Sequence, residues 1–229
     1  MSLFVIGDLH LSLGVPNKPM DIFGGWKDYQ ELLEESWLCR VKDADTVVLA
    51  GDLSWGMTLE QSDADFAFVH KLPGQKIILK GNHDYWWNSL RKMEGFFQEK
   101  GYDSLHILHN NHYAYEKYGI CGTRGWVNMP GAAADAKVLA REVQRLEVSI
   151  QSAVKAGLEP MVFLHYPPIY GNSYNYDMLE VLHKYKVQNC YYGHVHGKGH
   201  VHAFQGIYEE TRMEMISSDY LHFVPFKIL

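Results

Sequence analysis

"TVVLAGD", residues 46–52, is an unbroken aliphatic run closed by Gly-Asp. A strand covered on both faces reads this way, because no alternate position has to face water. The same pattern stands near the N-terminus as "SLFVIGD" (2–8) and returns as "KIILKGN" (76–82). Between the first two runs, Tyr29, Leu32, Leu33 and Trp37 fall at helical spacing and predict a helix over 27–40. Between the next two, Phe66 and Val69 predict another over 59–70. A β-α-β-α-β order favours a parallel sheet with right-handed crossovers.

Past residue 104 the texture changes. "LHILHN", "HYAYEK" and "YGICGTRGW" are short runs separated by turn residues, which predicts a hairpin or meander. Leu139, Val143, Leu146, Ile150 and Val154 then recur at three- and four-residue steps, so a long amphipathic helix is expected over 132–156. Gly157 stands where its C-terminal cap belongs. "MVFLHYPP" (161–168) reads as a strand broken by prolines, followed by a helix over 176–185 and the run "NCYYGHVHG" (189–197). "RMEMISS" and "LHFVPF" read as closing strands. The expected fold class is α/β, as one domain over 1–229, with two packed sheets and helices outside.

Composition narrows the partners. Hydrophobic residues make up 47% of the 229, enough for a large core. The net charge is −6 and no Lys or Arg run stands out, which disfavours a protein that holds a duplex by its phosphates. A small phosphorylated substrate is compatible with that charge. Cys39, Cys121 and Cys190 are widely spaced and odd in number, so no disulfide framework follows; Cys121 and Cys190 are expected as buried small hydrophobes. No run approaches the ~18 apolar residues of a membrane span, and the N-terminal run is too short for a signal peptide. A reducing cytoplasm is the expected setting, with no membrane partner.

The polar residues that follow the runs form a set. Asp8 and His10 follow the first, Asp52 the second, and Asn82, His83 and Asp84 the third. His165 follows "MVFL", and His194 and His196 follow "NCYY". In open α/β sheets, ligand sites form beyond the carboxyl ends of the strands. Oxygen and imidazole donors suit borderline divalent metals. Taken alone, "GHVHG" reads equally well as a polar strand end.

The blocks "GDLHL", "GDLSW", "GNHDY", "HYPP" and "GHVHG", in that order, resemble the five motifs of the calcineurin-like metallophosphoesterases. The resemblance spans about residues 5 to 197 and implies that family's four-layer fold, a two-sheet β-sandwich flanked by helices. Carried over position by position, it implies one metal on Asp8, His10 and His196, a second on Asn82, His165 and His194, and Asp52 bridging both. Two divalent ions about 3.5–4 Å apart repel strongly, and a shared carboxylate is the simplest group to stand between them. The ions would be manganese, iron, zinc, nickel or cobalt.

The resemblance further implies a phosphoester hydrolase in which a bridging hydroxide attacks phosphorus in line. His83 would give a proton to the leaving group and Asp84 would hydrogen-bond and orient it; the competing role for Asp84 is capping the next helix. Arg124, in "GTRGW", is a candidate phosphate clamp, with a surface salt bridge as the alternative. Trp86, Trp87 and Trp126 are candidate pocket walls, and segments 85–100 and 132–156 candidate lid pieces. The substrate would be a phosphorylated small molecule or a phosphodiester. The alternative from another class is a catalytically inactive scaffold acting as a protein-binding module. Such a protein would be expected to lack a ligand or the acid histidine, and this chain keeps all of them.

Overall fold

The computed structural model describes residues 1–126 and 133–229. The chain begins by alternating strand and helix: β1 (Leu3–Ile6), α1 (Tyr29–Arg40), β2 (Thr46–Leu49), α2 (Asp63–Lys71), β3 (Gln75–Ile78), α3 (Leu90–Lys100) and β4 (Leu105–Ile107). It continues through β5 (Tyr113–Tyr115), β6 (Tyr118–Thr123), α4 (Ala133–Lys155), β7 (Glu159–Leu164), β8 (Ile169–Tyr170), β9 (Ser173–Tyr174), α5 (Tyr176–Lys184) and β10 (Asn189–Tyr192). A 3₁₀ turn over Gly197–His202 leads to β11 (Gly206–Tyr208), β12 (Thr211–Met215) and β13 (Phe226–Lys227).

The first sheet has the order β13-β1-β2-β3-β4, all parallel except β13. The second has the order β11-β12-β10-β7-β6-β5, with β12, β10, β7 and β6 parallel and an antiparallel strand at each edge. Alternation along β1 shows how the layers form. Leu3 and Val5 point between the sheets, where they join Val48, Ile77, Ile120, Met161 and Phe163. Phe4 and Ile6 point outward into a core completed by Leu33 and Trp37 of α1, Phe66 of α2 and Phe97 of α3. On the far side, α4 and α5 bring Leu146, Ile150 and Leu182 against the second sheet. The result is a mixed α/β fold of two large sheets with helices on both outer faces, as expected. Strands buried on both faces explain why the runs at 2–8 and 46–52 are continuously apolar.

Several boundaries and faces differ from expectation. The second helix starts at Asp63, because 59–62 form a turn. Leu32 is 46% exposed while Leu33 carries the buried face. In α4, Ala153 takes the buried position and Val154 is exposed; residue 132, the expected first residue of that helix, lies outside the described residues. The meander past residue 104 is divided: β4 joins the first sheet beside β3, and the β5–β6 hairpin belongs to the second. "LHFVPF" is mostly turn, with strand structure beginning only at Phe226. Gly157 adopts φ 78° just past α4, as a cap requires. No described helix is long and apolar enough to cross a membrane.

Candidate metal centre

All five motif segments end at one place, the carboxyl tips of parallel strands in both sheets. Hydrogen bonds lace the tips together: Asp8 N donates to Gly51 O (2.9 Å), His10 N to Asp52 O (2.9 Å) and Gly193 N to His165 O (3.1 Å). The chain turns sharply at each tip. Asp8 (φ 60°), His10 (φ 46°), Asp52 (φ 51°) and His194 (φ 71°) all adopt the left-handed conformation that most side chains avoid. Such strain persists where surrounding structure holds it, and it concentrates at functional sites. Two glycines make the close approach possible. A Cβ on Gly81 would stand 2.1 Å from Asp52 Oδ1, and one on Gly193 would stand 2.4 Å from Asp8 Oδ2.

The seven expected ligands converge in two groups. Asp8, His10 and His196 form one, and Asp52, His165 and His194 the other. Asn82 joins the second, with Oδ1 2.6 Å from His165 Nε2. Across the groups, Asp52 Oδ2 lies 3.7 Å from His10 Nε2 and 3.4 Å from His165 Nε2. Its other oxygen, Oδ1, is held by the backbone N–H of His83 at 2.7 Å. Asp8 is likewise fixed, with both carboxylate oxygens accepting from His194 N at 3.0 and 2.9 Å.

The donor set fits divalent cations. His165 Nδ1 donates to Ala50 O (3.1 Å), which leaves a lone pair on Nε2. That lone pair faces Asn82 Oδ1, Asp52 Oδ2 and, at 3.2 Å, His194 Nδ1. Acceptors converging without enough protons between them are what a cation satisfies. In the other group, His10 Nε2 and His196 Nε2 face each other at 3.3 Å. Two nitrogens bound about 100° apart on one ion, at about 2.1 Å each, stand roughly 3.2 Å from one another.

Electrostatics point the same way. Burial pushes His165 down to about 3 and His194 down to about 4, against the pull of Asp8, so both rings are neutral at neutral pH and free to donate. Burial also holds His10 well below its ordinary value. Burial raises Asp52 well above the usual carboxylate range, and the charges of Asp84 and Asp8 add to it, so a cation beside it would favour the ionised form. His196 differs. Burial lowers it, but its contacts with Asp219 and Asp8 outweigh that and raise it to about 10. A metal at His196 therefore displaces a proton.

The structure corrects the expected role of Asp84. Its carboxylate is fully buried and accepts from the N–H groups of Asp52 (2.9 Å), Leu53 (2.9 Å) and Gly81 (2.7 Å) and from Trp86 Nε1 (3.0 Å). Those bonds tie the second tip to the third. The His83 ring is not among its partners; His83 Nδ1 is buried without a hydrogen bond. Nor does Asp84 cap a helix, since α3 starts at Leu90. Arg124 lies beside the centre rather than in it. Its guanidinium stands 3.4 Å from Glu142, a carboxylate only 2% exposed, and 4.5 Å over the Trp126 ring, so the pair is not a surface salt bridge.

Three residues escaped the sequence reading. Asp219 Oδ1 accepts from His196 Nδ1 at 2.9 Å, aiming Nε2 into the site, and its Oδ2 lies 3.2 Å from His200 Nε2. It follows β12, so the rule of looking past each strand could have found it. Trp55 stacks on His10 at 5.1 Å and stands 4.4 Å from His83, while Trp26 packs edge-on at 5.6 Å against both His10 and His196. Trp55 was in view inside "GDLSW"; nothing in the sequence marked Trp26. Trp86, by contrast, is a core residue packed on Phe66.

The fold and the site together define a metal-binding α/β sandwich. A family model described as calcineurin-like phosphoesterase matches residues 1–198, and the chain belongs to that family of metal-dependent phosphoesterases. No curated protein matches the chain. Among solved structures, a protein of unknown function from Aquifex aeolicus is similar at TM-score 0.54 and 15% identity, over 99% of this chain and 95% of that one. Phosphopantetheinyl hydrolase from Mycobacterium tuberculosis is similar at TM-score 0.53 and 13% identity, over 100% and 95%. A Thermus thermophilus protein gives 0.52 and 11%, over 86% and 82%. At these identities the likeness is one of fold.

Proposed function

We propose that the chain hydrolyses phosphoesters at a centre of two divalent cations. One is held by Asp8, His10 and His196, the other by Asn82, His165 and His194, with Asp52 shared. The observation that carries this reading is the position of Asp52 Oδ2, 3.7 Å from a ligand nitrogen of one group and 3.4 Å from one of the other. When bound, two such cations supply Lewis-acid charge for the phosphoryl oxygens and lower the pKa of water towards about 7.

The protein's own side chains do the rest. Asp8 and Asp52 hold their positions through backbone N–H groups, so the site needs no reorganisation when a substrate arrives. His83 is the proton donor to the leaving group. Burial lowers its pKa, and the negative charge of a phosphoester beside it favours the protonated ring. Trp55 against the His83 ring limits its rotation. Asp84 acts as a positioning residue, holding the backbone that carries both Asp52 and His83.

The test is hydrolysis of p-nitrophenyl phosphate and bis-p-nitrophenyl phosphate with added manganese, alongside metal analysis of protein purified without chelator. The expected outcome is turnover of at least one of them, which also separates monoester from diester preference, and a fall of at least a hundredfold in His83→Ala. Protein shown to hold two metals that hydrolyses neither compound favours the inactive scaffold instead.

A further inference from the structure

A second group of charges lies beside the metal centre, on the side of Asn82 and His165. Lys80, His109, Arg124, Glu142 and Arg145 line one small pocket between the tips of β3, β4 and β6 and the flank of α4. Its place is tied to the centre by the backbone. Lys80 stands two residues before Asn82, and the carbonyl of Arg124 accepts from the N–H groups of His165 (3.2 Å) and Tyr166 (2.8 Å).

The charges in this pocket do not balance. Glu142 is its one carboxylate, and it is shared: Oε1 lies 2.6 Å from Arg145 and 3.4 Å from Arg124, while Oε2 accepts from Thr123 Oγ1. Three cations therefore face a single anion. Lys80 has no hydrogen bond or ion pair among the described residues; burial and the guanidinium groups of Arg124 and Arg145 lower its pKa, against the pull of Asp84 and Glu142. Arg124 Nε is buried with its hydrogen bond unspent. Like charges are brought together with donors to spare where an anion completes them. The net charge of the whole chain is −6, so this concentration is local. The open space among these groups is about 10 Å³, room for roughly one water-sized atom. That space admits one oxygen of an anionic group and excludes a ring.

We propose that Lys80, Arg124 and Arg145 form a subsite for a second anionic group, phosphate or carboxylate, carried on the same substrate whose phosphoester enters the metal centre. This rests on the phosphoesterase reading and narrows it, from phosphoesters in general to those with two separated negative groups.

The experiment compares matched substrates on the metal-loaded enzyme: alkyl monophosphates against α,ω-alkanediol bisphosphates of increasing chain length. The expected result is one length at which the bisphosphate is preferred at least tenfold in kcat/KM, mainly through a lower KM. Lys80→Met, which removes a side chain with no hydrogen bond or ion pair among the described residues, should bring that preference close to one, and Lys80→Arg should restore it. Arg145→Gln, on the exposed flank of α4, is the second variant should Lys80→Met fail to fold. Turnover of monophosphates with no preferred bisphosphate at any length overturns the subsite and leaves the phosphoesterase reading standing. If neither series turns over, that reading fails, and calorimetric titration of the metal-loaded protein with 1,4-butanediol bisphosphate decides the subsite. Binding weakened in Lys80→Met supports it; equal or absent binding overturns it.

Discussion

At the tips of the first sheet, Asp8, His10 and Asp52 reach the centre through left-handed backbone, and three of the four candidate ligands there offer oxygen. At the tips of the second sheet every candidate ligand is a histidine. Of these only His194 has positive φ, while His165 and His196 are aligned through their Nδ1 atoms by Ala50 O and Asp219. One sheet shapes its ligands by bending the main chain, the other by hydrogen-bonding the rings. Each metal group draws on both: Asp8 and His10 meet His196, and Asp52 meets His165 and His194. Neither sheet completes a group alone. A bound cation therefore fastens one sheet to the other, and its affinity reports how they are packed.

The largest way to break this arrangement is to remove the metal. A ligand at a thousand times its Kd stabilises a fold by about 4 kcal/mol, which for a chain of this size is roughly 10 °C in Tm. Thermal melts with and without chelator should show that drop, and an unchanged Tm would mean that no cation joins the sheets. Next is Asp52→Asn, which weakens the carboxylate proposed to serve both groups. Turnover of whichever nitrophenyl ester the wild type hydrolyses should fall at least a hundredfold, about 2.7 kcal/mol, and full activity in a clean preparation would sink the bridging role.

Asp219→Asn sharpens the comparison on the second-sheet side, since it removes the charge that aims His196. Orienting partners of this kind are worth about 10- to 100-fold in metal affinity. Metal titration followed by activity should show that loss, with turnover recovering at saturating metal; equal affinity would make Asp219 a bystander. The smallest effect lies on the first-sheet side. Asp65 is buried beneath the loop after β2, accepting from Ser54 Oγ (2.5 Å) and Leu13 N (2.8 Å), and burial raises its pKa to about 6. A folded pKa above the unfolded 3.8 means the folded state keeps the proton longer, so this group's contribution worsens as pH rises through 4 to 6. Between pH 5 and pH 8 the stability of Asp65→Asn should gain on wild type by about 1 kcal/mol. Denaturant melts at the two pH values measure it, and a gap that does not move shows ordinary ionisation.

How much could be read in advance follows from what each feature depends on. The apolar runs, two of them closed by Gly-Asp, are local, so β1, β2, β3, β7 and β10 were legible, with the residues beyond them. The turn at 219–223 was misread because "LHFVPF" has a strand's composition, yet Phe223 is claimed by the outer core beside Trp26 and Tyr29. The division of β4 from β5 was invisible, because sheet membership depends on which edge is open when the chain arrives. The role of Asp84 was misassigned for the same reason. Its neighbour in sequence is His83, but its carboxylate accepts from N–H groups of the second tip, Asp52 and Leu53, as well as from Gly81 of its own.

Residue types and their order along the chain settled that oxygen and imidazole donors would follow successive buried strands, because strand formation and donor chemistry are properties of short segments. Only the folded molecule decided which atoms meet. His10 and His196 are 186 residues apart in the chain and 3.3 Å apart in space. The same is true of the lone carboxylate among three cations beside Asn82. Contacts of that range depend on how two sheets stack and how each tip bends, and neither is encoded in any one stretch of sequence.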